Sequence, residues 1–145
     1  MASTAAPISS PREHYADQVS LVRLYILRAM YLVLVVGLGA MIVPEILSHE
    51  PASRGVIASL LGAVWLLAFV GLRYPLEMLP LLMFEFAWKL IWMAFYGLPQ
   101  WLSGQRPPTF AEDSFNIAFG AVLLFVIPWG YVWRRFVKRP STGWR

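Results

Sequence analysis

Apolar residues in this chain do not alternate with polar ones. They come in four long runs separated by short polar punctuation. The first is LYILRAMYLVLVVGLGAMIV, followed by Pro44 and Glu45, and the second is GVIASLLGAVWLLAFVGL, bracketed by Arg54 and Arg73. The third extends from Leu76 to Leu98 around two charges, Glu85 and Lys89, and the fourth is SFNIAFGAVLLFVIPWGYVW, ended by Arg134 and Arg135. A helix needs roughly 20 apolar residues to cross the hydrocarbon core, and the absence of period-two alternation argues against a membrane barrel. The pattern predicts an all-α membrane protein whose four transmembrane helices, over residues 24–43, 55–72, 76–98 and 114–133, form a compact antiparallel bundle.

The punctuation adds detail. RYPLE between the second and third runs reads as a tight turn, with Pro75 at the start of the third helix, where its missing N–H costs nothing. PEILSHEPASR and PQWLSGQRPPTFAED are too short for an extramembrane domain. Residues 1–22 read as a flexible or interfacial tail, residues 23–134 as the membrane domain and residues 135–145 as a basic tail. The first run is too long for the core of a signal peptide and no small-x-small cleavage site follows it, so an uncleaved first span is expected.

Composition agrees with the pattern. The chain is 59% hydrophobic and 14% charged, against roughly 45–50% and 25% for soluble domains. Cysteine is absent and the two histidines, His14 and His49, lie outside the apolar runs. Those facts remove disulfides, thiolate metal sites and a haem held between two spans. No cofactor and no metal site is expected.

Charge distribution predicts orientation. Four spans place both termini and the 73–77 turn on one side, which carries nine of the twelve lysines and arginines. The opposite loops carry Arg54 and Arg106, and Lys89 lies inside a span. Lysine and arginine accumulate on the cytoplasmic side, so both termini are expected there, in a bacterial inner membrane. Arg134, Arg135, Lys138 and Arg139 read as a stop-transfer cluster that also suits anionic lipid headgroups. The short basic tail is too little for nucleic-acid binding.

The chemistry concentrates at Glu85 and Lys89. Insertion scales assign roughly 2.5–3.5 kcal/mol to a charge at the bilayer centre, and an acid four residues before a base is the favourable order for a helical ion pair. At about 100° per residue, Leu81, Glu85, Trp88, Lys89, Trp92 and Tyr96 share one wedge, with Phe86, Ala87, Leu90 and Ala94 opposite. The wedge reads either as a midplane pocket for a ligand or proton or as a structural clasp. Arg28, one turn inside the first span, is expected to snorkel to the interface, with Glu77 or Glu85 as alternative partners. Small residues at Gly55, Ser59, Gly62 and Ala63, and at Gly37 and Gly120, read as helix-packing surfaces. Pro128 with Gly130 predicts a kink, and Trp129, Tyr131 and Trp133 an interfacial aromatic belt.

Three functions follow as expectations. The first is a non-enzymatic accessory, assembly or scaffolding subunit, associating with itself, other membrane helices or lipids. The second is an oligomeric proton-coupled transporter using Glu85 and Lys89. The third is a binder or enzyme for an apolar molecule such as a quinone or isoprenoid, with Trp88, Trp92 and Tyr96 lining its pocket.

Overall fold

The computed structural model describes residues 19–48, 53–104 and 110–138, and every regular element among them is helical. Most of the expected N-terminal tail, Arg106 and Arg139 lie outside the described residues. The elements are α1 (Leu21–Ser48), α2 (Ser53–Arg73), α3 (Leu79–Trp92), a π-helical turn (Met93–Gly97), α4 (Leu98–Leu102), α5 (Phe110–Val126), α6 (Trp129–Val132) and a second π-helical turn (Trp133–Val137).

Three stretches are long and apolar enough to cross a membrane: α1, α2 from Gly55 to Arg73, and the continuous rod Leu79–Leu102. A fourth exists if α5 and α6 count as one broken span, since Asp113–Val126 and Trp129–Val137 are bent by 65°. Large apolar side chains such as Leu60, Phe84, Ile91, Phe95 and Phe125 point outward. That surface belongs to a membrane protein, whose solvent is lipid.

The boundaries differ from the sequence expectation for local reasons. α1 does not stop at Pro44 but continues to Ser48, because Ile42 is buried and Ile46 packs on Gly62 of α2. Pro75 lies in the turn before α3, and it is Pro80 that occupies the first helical turn. An N–H there has no intrahelical acceptor, so the proline is tolerated.

At the far end of α3 the helix widens. Leu98 N–H donates to the Met93 carbonyl, five residues back. Pro99 supplies the cause, since a proline ring clashes with the carbonyl four residues before it, here that of Phe95. The wider turn relieves the clash and lets the helix continue through α4 to a left-handed Gly104 (φ 71°).

α1 and α2 are antiparallel. Tyr31 packs its ring on Gly71, Trp65 lies against Gly39, and Ile46 meets Gly62. Glycine is required at the first two positions, where a Cβ would enter the facing ring. Trp65 Nε1 donates to the Val35 carbonyl at 2.8 Å, and the fully buried Tyr31 hydroxyl donates to the Pro75 carbonyl at 3.3 Å. α3 and α5 form the second antiparallel pair, with Lys89 on Gly120 and, past the bend, Phe86 on Trp129 of α6. Leu27, Leu34, Val64, Leu82, Leu123 and Ile127 join the two pairs in one apolar core.

Candidate functional site

One helical turn separates Glu85 from Lys89 on α3, and both are buried, at 2% and 8% exposure. Lys89 Nζ donates to Glu85 Oε2 at 2.6 Å, and Trp88 Nε1 donates to the same oxygen at 3.1 Å. The ammonium also lies 3.9 Å from the Trp88 ring centroid and 5.1 Å from that of Phe119 on α5. Aromatic faces attract cations most where water is absent. The pair is thus neutralised within α3 and roofed by aromatic rings from two helices.

Gly120 sets the approach of α5. A Cβ there would stand 3.2 Å from Lys89 Cδ and 3.4 Å from its Cβ, so the lysine stem rests on the α5 backbone. Glu85 Oε1 is the exception to this closure: it is buried and has no hydrogen-bond partner among the described residues.

The depth of the pair also shifts. The rod Leu79–Leu102 has its midpoint between Leu90 and Ile91. Lys89 therefore lies about 2 Å and Glu85 about 8 Å from mid-rod along the axis. The lysine is the charge nearer mid-rod, with the acid about 6 Å from it along the axis toward the α2–α3 turn.

The wedge read from the sequence holds over its first three turns and then fails. Leu81, Glu85 and Lys89 are buried and Trp88 and Trp92 half-buried, but Tyr96 is 59% exposed. The π-helical turn carries more residues per turn than an α-helix, so Tyr96 lags behind the face it would otherwise share. The same turn seats the Trp92 ring on Gly97. Phe86, expected on the lipid side, is half-buried and meets Trp129 edge-on at 5.5 Å. Between α3 and α5 lies a half-open groove of about 200 Å³, lined by Trp88, Lys89, Trp92, Met93, Gly120 and Leu124 among others, and almost wholly apolar.

The other expected site residues are dispersed. Arg28 is exposed with its guanidinium 5.8 Å over the Tyr25 ring, and Glu77 is exposed in the α2–α3 turn. The Glu85 carboxylate is held by Lys89 and Trp88 and not by Arg28. On α2, Gly62 is buried and Gly55 half-buried, while Ser59 and Ala63 face outward and Ser59 Oγ donates to the Gly55 carbonyl at 2.7 Å. Gly37 looks into open space. Arg134 and Lys138 are exposed beyond the bend and Arg135 is half-buried. Among the described residues no three His, Cys, Asp or Glu side chains gather as a metal site.

Set beside known proteins, the chain matches no family, no curated sequence and no solved structure.

Sequence reasoning passed over Gly39, Gly71 and Phe119. A signal for Gly39 was present: it follows Tyr31 and Val35 at four-residue spacing, on the stripe that packs against α2. Gly37 falls off that stripe. Phe119 had no such signal, because its role depends on where α5 meets Lys89.

Proposed function

We propose that this is a small multi-pass integral membrane protein of the accessory or scaffolding kind, non-enzymatic, with α1–α2 and α3–α5 as two helix hairpins of one compact four-span bundle. On the lysine and arginine bias, both termini face the cytoplasm, and an inner bacterial membrane fits that arrangement. The carrying observation is the closure of the Glu85–Lys89 pair on its own neighbours. Glu85 is held by Lys89 and Trp88 within α3, and the lysine meets Phe119 and Gly120, so the pair ties α3 to α5 through Lys89. Breaking a buried pair typically costs 3–5 kcal/mol, whereas replacing both members with apolar groups is often neutral.

Glu85→Leu and Lys89→Met, made singly and together, test the clasp by folded yield in detergent and unfolding temperature. The singles are expected to lose stability and the double to regain most of it. A double variant as unstable as the sum of the singles would reject the clasp.

Two observations keep the other readings in view. The unpartnered Glu85 Oε1 favours a proton-exchanging carboxylate, as in a transporter, which would require at least a dimer to enclose a path. The apolar α3–α5 groove favours a membrane-soluble ligand such as a quinone or isoprenoid. At about 200 Å³ it is smaller than the 300–1,000 Å³ of most small-molecule sites, so it suits one ring or a short length of chain. Proton flux in vesicles carrying Glu85→Gln, and mass spectrometry of co-purifying lipids, separate these readings from the clasp.

A further inference from the structure

We infer that the segment from Trp129 to Lys138 is an in-plane anchor that retains anionic phospholipid headgroups, with Arg134 and Lys138 supplying the charge. The geometry begins at Pro128. Its φ of −77° and ψ of 78° close an inverse γ-turn, in which Trp129 N–H donates to the Ile127 carbonyl at 2.9 Å. With α5 alone as the fourth crossing, its 17 residues reaching about 25 Å along the bilayer normal, a bend of 65° after it brings the next segment nearer the bilayer plane than the normal.

The side chains of the segment divide as an interfacial helix requires. Tyr131 and Val132 turn into the protein core, while Trp129, Trp133, Phe136 and Val137 stay exposed beside exposed Arg134 and Lys138. Aromatic rings settle at the headgroup boundary and cations reach the phosphates outside it. Arg135 is half-buried and has an interaction of its own within the protein, so the two outward cations are the other pair.

The rest of this end of the molecule is of the same character. α1 begins here, α2 ends here and α5–α6 ends here, which gathers Arg23 and Arg73 at this end, with Arg28 about 7.5 Å further along α1 than Arg23. Two of these lie over exposed rings: Arg28 over Tyr25, and Arg73 over Tyr74, whose hydroxyl accepts from Arg73 Nε at 3.1 Å. Charge complementarity selects an anionic lipid over a zwitterionic one. The rings then hold the bound lipid at headgroup depth.

The test uses the full chain reconstituted in phosphatidylcholine membranes doped with spin-labelled phosphatidylglycerol or spin-labelled phosphatidylcholine. The motionally restricted fraction reports lipid held at the protein surface. The native chain is expected to prefer phosphatidylglycerol, with about a fivefold loss of preference for each outward cation removed. Arg134→Gln with Lys138→Gln should therefore abolish most of it, and added salt should weaken it. Pro128→Ala, which restores the backbone donor and straightens the helix, should lower the preference with every charge retained. Equal restriction of both lipids by the native chain would overturn the inference. So would a preference that survives Arg134→Gln/Lys138→Gln but disappears in Arg23→Gln/Arg73→Gln.

Discussion

Trp129 donates its indole N–H to the Leu124 carbonyl at 2.7 Å, and Leu124 is the residue whose carbonyl Pro128 has no N–H to serve. Proline breaks a helix partly by orphaning the carbonyl four residues earlier, and an orphaned carbonyl in a bilayer finds no water. Here the next residue repairs the loss with its side chain. The bend at 127–128 is thus a capped joint.

Trp129→Phe should keep the ring that meets Phe86 edge-on and lose the donor. The expected cost is about 0.5–1.5 kcal/mol, the usual net worth of one hydrogen bond, because Leu124 and Trp129 are both exposed on the protein surface. Unfolding in detergent measures it. Trp133→Phe serves as the control, since Trp133 is exposed like Trp129 but lies beyond the bend that the Trp129 indole caps, and a change within about 0.5 kcal/mol is expected there. Equal effects at the two tryptophans would remove the indole–carbonyl bond from the account.

Three glycines discriminate packing from composition. Gly39→Ala places a methyl 2.7 Å from Trp65 Nε1 and Gly71→Ala places one inside the Tyr31 ring. Each is expected to destabilise by about 1–3 kcal/mol, the usual cost of overpacking. Gly37→Ala meets nothing within 4 Å and should stabilise the helix by about 0.5–1 kcal/mol. Thermal unfolding of the three variants ranks them directly.

Tyr31 gives a coupled test of the α1–α2 interface. Tyr31→Leu in the Gly71→Ala background should restore part of the stability lost, because the ring that the methyl meets is gone. A coupling of about 0.5–3 kcal/mol is the range for residues in contact. Simple additivity would place Tyr31 and Gly71 further apart than the structure does.

Pro99 sets the orientation of Tyr96. Pro99→Ala removes the ring that clashes with the Phe95 carbonyl and should allow the Met93–Gly97 turn to close to α-helical spacing. Since the chain has no cysteine, Tyr96→Cys can carry a single spin label. Its collision rate with dissolved oxygen, high in the native register, should fall in the Pro99→Ala background as position 96 turns toward the Trp92 side. An unchanged rate would mean that Trp92 on Gly97, and not the proline, holds the wide turn.

The contact between α3 and α5 can also be loosened from the α5 side. Gly120→Leu should separate the helices at Lys89 and lower stability by about 1–3 kcal/mol. Gly120→Ala should be milder, because the atom it crowds most is Cδ of a flexible lysine. The unfolding temperature of the pair of variants shows whether α5 rests on the lysine stem.

The helical class and the approximate positions of all four apolar stretches were legible in the chain, because the bilayer accepts few alternatives. A run of that length has to satisfy its own backbone. The Glu85–Lys89 pair was legible as well, since an i, i+4 spacing brings the groups together without help from another helix. Prolines marked the irregular points in the sequence, but what each did depended on its surroundings. Packing carried α1 through Pro44, the first turn absorbed Pro80, and a γ-turn plus one indole turned Pro128 into a 65° bend. Tertiary structure alone decided which glycines mattered and which way Tyr96 faced. A glycine's worth is set by the ring opposite it, and one widened turn shifts the face of the residues it carries.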